Sequence, residues 1–457
     1  MPSLFASDAL LPNGWARDVL LEWDGAGVLT QAAAGSHAGA APRARGPVLP
    51  GMANVHSHAF QRAMAGLAEW RGHPTDDFWT WREAMYDLVR RLEPDDVQAI
   101  AEHLYIEMLK HGYTAVAEFH YLHHARNAEP YRDVGELAER IVAAAGASGI
   151  ALTLLPVLYA HGGFQDRPLD DAQRRFRGDP ESIAALLRDL AGRHSARSFF
   201  RLGVAPHSVR AVDARMLTEI VAAATAIDPA MPIHMHLSEQ VAEVEECRQN
   251  HRATPFAWID DLVKVDARWC FIHATHINAR EMHTIGARGA VIGLCPATEA
   301  NLGDGIFDFG AWFAAHGRWA IGGDSHVSVS PFEELRALEY SQRLQRRVRN
   351  VSADESSPDV AANLWRGAAE GGAQAISQPM GRLAPGSRAD LVVLDATDAD
   401  FEALPASAAL AVAMFSGSAN RVVDVYIAGT PVIRDGRHGR EESAGAAFRA
   451  ALGRLRS

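Results

Sequence analysis

The sequence predicts an α/β fold: a (β/α)8 TIM barrel with a small β-sandwich domain built from the N- and C-terminal segments. Three observations predict it. Between residues 51 and 376, apolar β-type runs alternate with longer segments of helical period, as in a parallel sheet with helical crossovers. Histidines and carboxylates gather at the ends of those runs, beginning with His56-x-His58, and barrel active sites lie at strand C-terminal ends. After about residue 377 the texture turns to short strands and tight turns, like that of the first 50 residues.

Residues 1 to 50 read as short strands and turns. Asp18-Val-Leu-Leu-Glu-Trp has strand character, Asp24-Gly-Ala-Gly is a turn, and Gly35 to Arg45 is an Ala/Gly-rich loop. Eight candidate barrel strands follow, near Met52–Val55, Thr114–Phe119, Ile150–Leu158, Phe200–Val204, Met231–His236, Trp269–Ile272, Ala290–Leu294 and Arg318–Ile321. Between them the pattern predicts helices at Pro94–His111, Val134–Ala147, Ser182–Gly192, Val212–Ala226 and Asn278–Arg288. The first opens on Pro-Asp-Asp, with acidic residues where the helix dipole favours them. An open doubly wound sheet would want a Gly-rich phosphate turn after its first strand; here that place holds His-Ser-His. At the C-terminal end, Gly381 to Asp395 is a turn followed by a buried strand, and Val422 to Gly436 is a hairpin around Ala428-Gly-Thr. Residues 1–50 and 377–457 are therefore expected to form the small β domain, with the barrel of 51–376 inserted between its halves.

Bulk composition narrows the function classes. Of 457 residues, 48% are hydrophobic and 22% charged, as in a soluble globular protein. The formal charge, 44 minus 56, is −12, which argues against nucleic acid or an anionic membrane as the main partner. Three scattered cysteines, Cys247, Cys270 and Cys295, make neither a disulfide framework nor a CxxC site. The start lacks a basic segment followed by an apolar run, so no signal peptide is expected. No run of 18 apolar residues exists, so no membrane span is expected either, and a reducing cytoplasm is the default.

In a strand, residues i and i+2 share a face, so His56 and His58 can aim two imidazoles at one point. The other strand ends carry Phe119-His-Tyr121, Pro206-His-Ser-Val-Arg210, His234-Met-His-Leu-Ser-Glu239, His273-Ala-Thr-His276 and Gly323-Asp324-Ser-His326. His56, His58, one strand-five histidine and Asp324 would make a three-nitrogen, one-oxygen metal site, a donor set that zinc accepts. His234 and His236 share a face. His236 is preferred because it lies nearer the strand end and three residues before Glu239, which leaves His234 as a packed or supporting residue. The only two lysines, Lys110 and Lys264, sit away from strand C-terminal ends. A two-metal site bridged by a modified lysine is thereby disfavoured, and one divalent metal is expected. The bland readings are a helix-start carboxylate for Glu239 and a core histidine for His273.

The segments Pro50-Gly-Met-Ala-Asn-Val-His-Ser-His58, His236-Leu-Ser-Glu239, His273-Ala-Thr-His276 and Gly323-Asp-Ser-His326 resemble the amidohydrolase superfamily, in its mononuclear deaminase branch. His58-Ala-Phe-Gln-Arg62, Asp77-Phe-Trp-Thr-Trp-Arg-Glu-Ala-Met-Tyr86, Glu118-Phe-His-Tyr-Leu-His123 and Pro206-His-Ser-Val-Arg210 are similar to the formimidoylglutamate deiminase family of histidine degradation. The resemblance covers essentially the whole chain. It implies hydrolysis of N-formimidoyl-L-glutamate to N-formyl-L-glutamate and ammonia, with one Zn2+ on His56, His58, His236 and Asp324 activating a water. It implies that Glu239 moves a proton to the leaving ammonia, that His273 orients the attacking oxygen, and that Asp324 also takes the water's proton. Homodimerisation is implied as well. Arg82 and Arg210 are suited to grip carboxylates through paired hydrogen bonds, although Arg82 could instead pair with Glu83 or Asp87. Gln61, Tyr121 and His207 are candidate polar contacts on the same rim, and Trp79 and Trp81 are expected to pack its loop. Two arginines on that rim favour a dicarboxylate over a neutral base. The alternatives are a purine, pyrimidine or related ring deaminase on the same scaffold, and a catalytically inactive barrel used for binding.

Overall fold

The computed structural model describes residues 1–67, 69, 78–194, 196–397, 399–401, 404–417 and 419–456, with side chains omitted for 78–80 and 399. Asp77 and the Trp79 side chain of the aromatic segment lie outside the described residues.

The chain opens with an antiparallel hairpin, β1 (Ser3–Leu11) and β2 (Gly14–Trp23), followed by β3 (Leu29–Ala33) and β4 (Val48–Pro50). The first barrel strand, β5 (Met52–Ser57), leads through α1 (Phe78–Val89) and α2 (Pro94–Lys110) to β6 (Tyr113–His120). Helix α2 begins as its sequence predicts: Pro94 occupies the first turn, and Glu93 and Asp96 form a reciprocal cap. Then come α3 (Glu136–Ser148), β7 (Ala151–Leu158), α4 (Pro180–His194), β8 (Phe200–Leu202), β9 (Ala205–Pro206) and α5 (Ala214–Ile227). Asp213 caps α5 by accepting the Met216 N–H at 2.7 Å. The second half runs β10 (Ile233–Leu237), α6 (Val241–His251), α7 (Pro255–Leu262), β11 (Trp269–His273), α8 (Ala279–Arg288), β12 (Val291–Leu294), α9 (Pro296–Leu302), α10 (Phe309–Ala314) and β13 (Trp319–Ile321). After it follow α11 (Pro331–Arg346), α12 (Val360–Ala375), β14 (Leu391–Leu394), α13 (Ala406–Phe415), β15 (Val422–Ile427), β16 (Thr430–Ile433) and α14 (Glu441–Arg456).

All eight predicted barrel strands form and pair in parallel, as β5-β6-β7-β8 with β9 beside β7, and as β10-β11-β12-β13. Two parallel bridges close the ring: Val204 pairs Ile233 on one side, and Ser57 pairs Asp324 on the other. The fourth strand, expected as one run, is split into β8 and β9 around Val204, whose N–H bonds across to the Pro232 carbonyl at 3.0 Å. Apart from β8, where Phe200 and Arg201 are partly exposed, the strands are buried on both faces, as a parallel sheet under helices requires.

The remaining strands form one hydrogen-bonded path, β16-β15-β14-β4-β1-β2-β3. On a flat sheet β2 and β15 would stand roughly 19 Å apart, four strand spacings. Yet Trp23 and Tyr426 meet edge-on with ring centroids 6.4 Å apart. The sheet therefore curls over and packs its inner face on itself, around Val19, Leu21, Leu29, Leu391 and Val393. Helices α13 and α14 do not join it. The former packs on α11 and α12, and the latter on α2, where Arg454 and Arg440 pair with Asp96 and Glu102. Among the described residues, no helix is long and apolar enough to cross a membrane.

Helix α12 lies tight against β13. A Cβ on Gly371 would stand 1.8 Å from the Trp319 carbonyl oxygen, a backbone atom that cannot swing away. Gly371→Ala gains about 1 kcal/mol of helix propensity but forces this contact apart. The expected net result is a loss of about 2 kcal/mol or more, seen as a lower midpoint in chemical denaturation. An unchanged midpoint would refute the close approach.

Candidate active site

The barrel brings the predicted residues to one place, because each lies at or just past a strand C-terminus. His58 Nδ1 lies 3.1 Å from the Phe119 carbonyl, and His236 Nδ1 lies 3.0 Å from the His207 carbonyl. A carbonyl only accepts, so both Nδ1 atoms carry the hydrogen and both Nε2 lone pairs turn inward. His56 Nε2 lies 3.1 Å from His236 Nε2. The Oδ1 of Asp324 lies 3.4 Å from the Nε2 of both His56 and His58. Phe119 stands edge-on to His56, His58 and His236, with centroids 5.0, 5.3 and 4.6 Å away, and fixes their orientation.

His56, His58 and Asp324 form a group whose ligand atoms all lie within 4.8 Å of one another, and His56, His236 and His273 form a second. Burial lowers the pKa of His56 and His236 well below the ordinary value and that of His58 to about 3, so the imidazoles are neutral. Neutral nitrogens with inward lone pairs, beside one carboxylate, are a donor set that suits a divalent cation.

The sequence left the strand-five choice open, and the structure separates the two histidines. His236 meets His56. His234 is turned to the far end of α12, where its Nε2 meets the Ala375 carbonyl at 2.8 Å.

Glu239 is buried, and its Oε1 lies 3.9 Å from His273 Nε2. The same nitrogen lies 3.9 Å from Asp324 Oδ2. Burial pushes Glu239 up to about 7, with His273 and Arg210 pulling the other way. Burial also opposes charge on His273, but Glu239, Glu299 and Asp324 outweigh it and push that imidazole up to about 10. Ser238, His273, Ala274, Asp324 and His326 all have left-handed backbones, with φ between 47 and 66°. Such strain in non-glycine residues clusters at functional sites.

These groups open onto a pocket of about 600 Å3, including its mouth. His58, Gln61, Arg82, Tyr121, His207, Arg210, His236, Glu239, His273 and Asp324 line it, while His56 lies buried below. Gln61 donates to the Tyr121 hydroxyl at 2.8 Å. Arg82 lies over the Tyr86 ring, 5.5 Å from its centroid. Trp81 packs against the core and also lines the pocket.

The sequence assigns no role to several site residues, although Tyr86, Glu118 and His326 stand within the segments that carry the resemblance. Glu118 accepts from Ser57 Oγ at 2.5 Å, the Ala59 N–H at 2.8 Å and the Tyr105 hydroxyl at 3.0 Å, and so holds the turn after His58. His326 Nε2 meets the other side of Ser57 Oγ at 2.9 Å. Glu299 lies 3.2 Å from His273 Nδ1, but in sequence it is an ordinary first-turn carboxylate of α9. Tyr86 and Tyr159 line the pocket from α1 and from just past β7, tied together by Gln173 Nε2 at 3.1 and 3.2 Å. Only the HxH spacing and the strand-end placement could be read locally.

A closed parallel barrel with histidines, an aspartate and a buried glutamate at its strand ends defines a metal-dependent hydrolase of the amidohydrolase type. The family model described as "Amidohydrolase family" matches residues 48–432, and the chain belongs to that family. Within it, the chain belongs with the formimidoylglutamate deiminases. The formimidoylglutamate deiminase of Pseudomonas aeruginosa is 49% identical over 455 residues, with 100% of both chains covered. A model described as "Formimidoylglutamate deiminase HutF, N-terminal domain" matches residues 1–46. A 5-methylthioadenosine/S-adenosylhomocysteine deaminase of Natronomonas pharaonis is 28% identical, over 76% of this chain and 73% of its own. Among solved structures, an amidohydrolase from Brucella melitensis superposes with a TM-score of 0.93 at 43% identity, over 100% of each chain. A zinc-bound adenosine deaminase from Xanthomonas campestris shares the fold, with a TM-score of 0.82 at 21% identity over 99% and 98% of the two chains.

Proposed function

We propose that the chain hydrolyses N-formimidoyl-L-glutamate to N-formyl-L-glutamate and ammonia, a step of histidine degradation. The carrying observation is one pocket lined by His58, His236, Asp324 and Glu239 together with Arg82 and Arg210, with His56 below it in contact with His236 and Asp324. The full-length relative from P. aeruginosa supports the substrate. One Zn2+ is assigned to His56, His58, His236 and Asp324, where it would lower the pKa of a water and polarise the C=N carbon.

The protein's own groups do the rest. Arg82 and Arg210 hold the two carboxylates, and Gln61, Tyr121 and His207 contact the chain between, so the formimidoyl carbon is presented to the floor. Asp324 accepts a proton from the attacking water as the C–O bond forms. His273, held by Glu299 at Nδ1, directs Nε2 at the developing oxygen. Glu239 carries the water's other proton to the terminal nitrogen, the proton taken by Asp324 follows it as the C=O bond forms and the C–N bond breaks, and ammonia leaves while the formyl group stays on glutamate. The protein is placed in the cytoplasm, in keeping with three buried free cysteines, and as a homodimer, which sedimentation would check.

Incubating metal-loaded protein with a panel of C=N compounds and measuring ammonia tests the reading. N-formyl-L-glutamate and ammonia are the expected products. Formamide and free glutamate would reverse the leaving group, and faster release from guanine, cytosine or adenosine would favour a ring deaminase. Arg82→Met and Arg210→Met each remove a contact worth about 2–5 kcal/mol at a desolvated site. Each should lower kcat/KM by at least about tenfold, at 1.4 kcal/mol per decade, with metal content unchanged. Formimidoyl compounds without the carboxylates should be poor substrates.

A further inference from the structure

We propose that Glu243 is a positioning residue that joins the substrate grip to the acid–base turn: it aims Arg210 and pins the segment carrying Glu239. The inference rests on the proposed function for what Arg210 grips, and on geometry alone for the rest.

Glu243 lies in the first turn of α6 and is 2% exposed. A carboxylate so deeply buried needs partners, and it has two. Its Oε2 accepts the Arg210 Nε–H at 2.9 Å, and its Oε1 accepts the Ser238 backbone N–H at 2.8 Å. Ser238 lies between His236 and Glu239 and holds a left-handed backbone, φ 50°. Its N–H bond to Glu243 keeps this strained turn in the conformation that sends Glu239 into the pocket.

The other oxygen acts on Arg210, whose side chain is 13% exposed. Binding at Nε leaves the two terminal NH2 groups without a protein hydrogen bond among the described residues, on a pocket wall shared with Arg82 and Glu239. A guanidinium is a rigid fork, so holding one edge aims the other. Glu243 also balances the buried guanidinium charge before substrate arrives. One side chain thus sets two distant segments, β9 with its following turn and the end of β10, in register with each other.

The test is a double-mutant cycle with Glu243→Gln and Arg210→Met, measured on N-formimidoyl-L-glutamate. A carboxamide replaces one of the two carboxylate oxygens with an NH2 donor and so cannot accept at both positions. Glu243→Gln should raise KM and lower kcat, with kcat/KM down at least about tenfold and metal content as in the wild type. In the Arg210→Met background the KM effect should vanish, because no guanidinium remains to be aimed, while the kcat effect through Ser238 persists. Equal KM effects in both backgrounds, or unchanged kinetics, would overturn the proposal. If Glu243→Gln fails to fold, Glu243→Asp keeps both acceptors on a shorter arm and is read the same way. A readout independent of turnover is hydrogen exchange at Arg210 Nε–H, assigned by its loss in Arg210→Met. It should be slow in the wild type and at least about tenfold faster in Glu243→Gln; equal rates refute the contact. A wild type inactive on N-formimidoyl-L-glutamate with slow Nε–H exchange would sink the proposed function and leave the positioning role standing.

Discussion

Glu239→Gln should keep its metal and lose turnover by a factor on the order of 100 or more. Size and polarity are nearly preserved, so the pocket need not collapse. What disappears is the titrating carboxyl. Glu239 is buried, faces His273 at 3.9 Å and is not part of the His56/His58/Asp324 group. Removing its charge should therefore leave metal content near that of the wild type, measured by elemental analysis of the same sample used for kinetics. Near-normal turnover in this variant would mean that another group moves the proton to ammonia.

Asp324→Ala and His56→Ala should fail at the earlier step. Wild-type protein is expected to hold about one equivalent of divalent metal per chain. Asp324 supplies the only carboxylate of its three-residue group, and His56 belongs to both groups that share the floor. Either truncation should leave well under one equivalent bound and activity at or below about 1% of wild type. Asp324 also ties the ring together, since its N–H bonds to the His56 carbonyl at 2.9 Å and its carbonyl accepts the His58 N–H at 3.1 Å. Those bonds are backbone bonds and survive the substitution, so thermal melting should separate lost ligation from lost folding. Full metal content and activity in both variants would overturn the site, as would activity that requires two equivalents in the wild type.

The contrast between these variants and Glu243→Gln follows the distance of each group from the reacting atoms. In the proposed mechanism Glu239 moves a proton and Asp324 would hold the metal, so their losses are expected to be large. Glu243 touches neither, and its loss is read as displaced geometry.

Much of this was legible in the chain as written. The two-residue period of a strand puts His56 and His58 on one face wherever the strand lies. Alternating apolar runs and helical segments call for a parallel sheet with crossovers, and eight such strands close into a barrel. Helix α2 announces its start in Pro94 and its acidic neighbours, because capping is settled within one turn. Tertiary structure alone decided the rest. His234 and His236 have the same local pattern, and only the stacking of α12 under the barrel gives His234 the Ala375 carbonyl as its partner. Glu118, Glu243 and Glu299 look like ordinary carboxylates, yet Glu118 meets Ser57 across 61 positions and Glu243 meets Arg210 across 33. The flanking sheet brings Trp23 onto Tyr426 by curling, which no strand pattern encodes. Local pattern is determined by the rotation per residue along one element. Which side chains meet across the sequence depends on how the barrel closes and on what the low-dielectric interior forces each buried polar group to find as a partner.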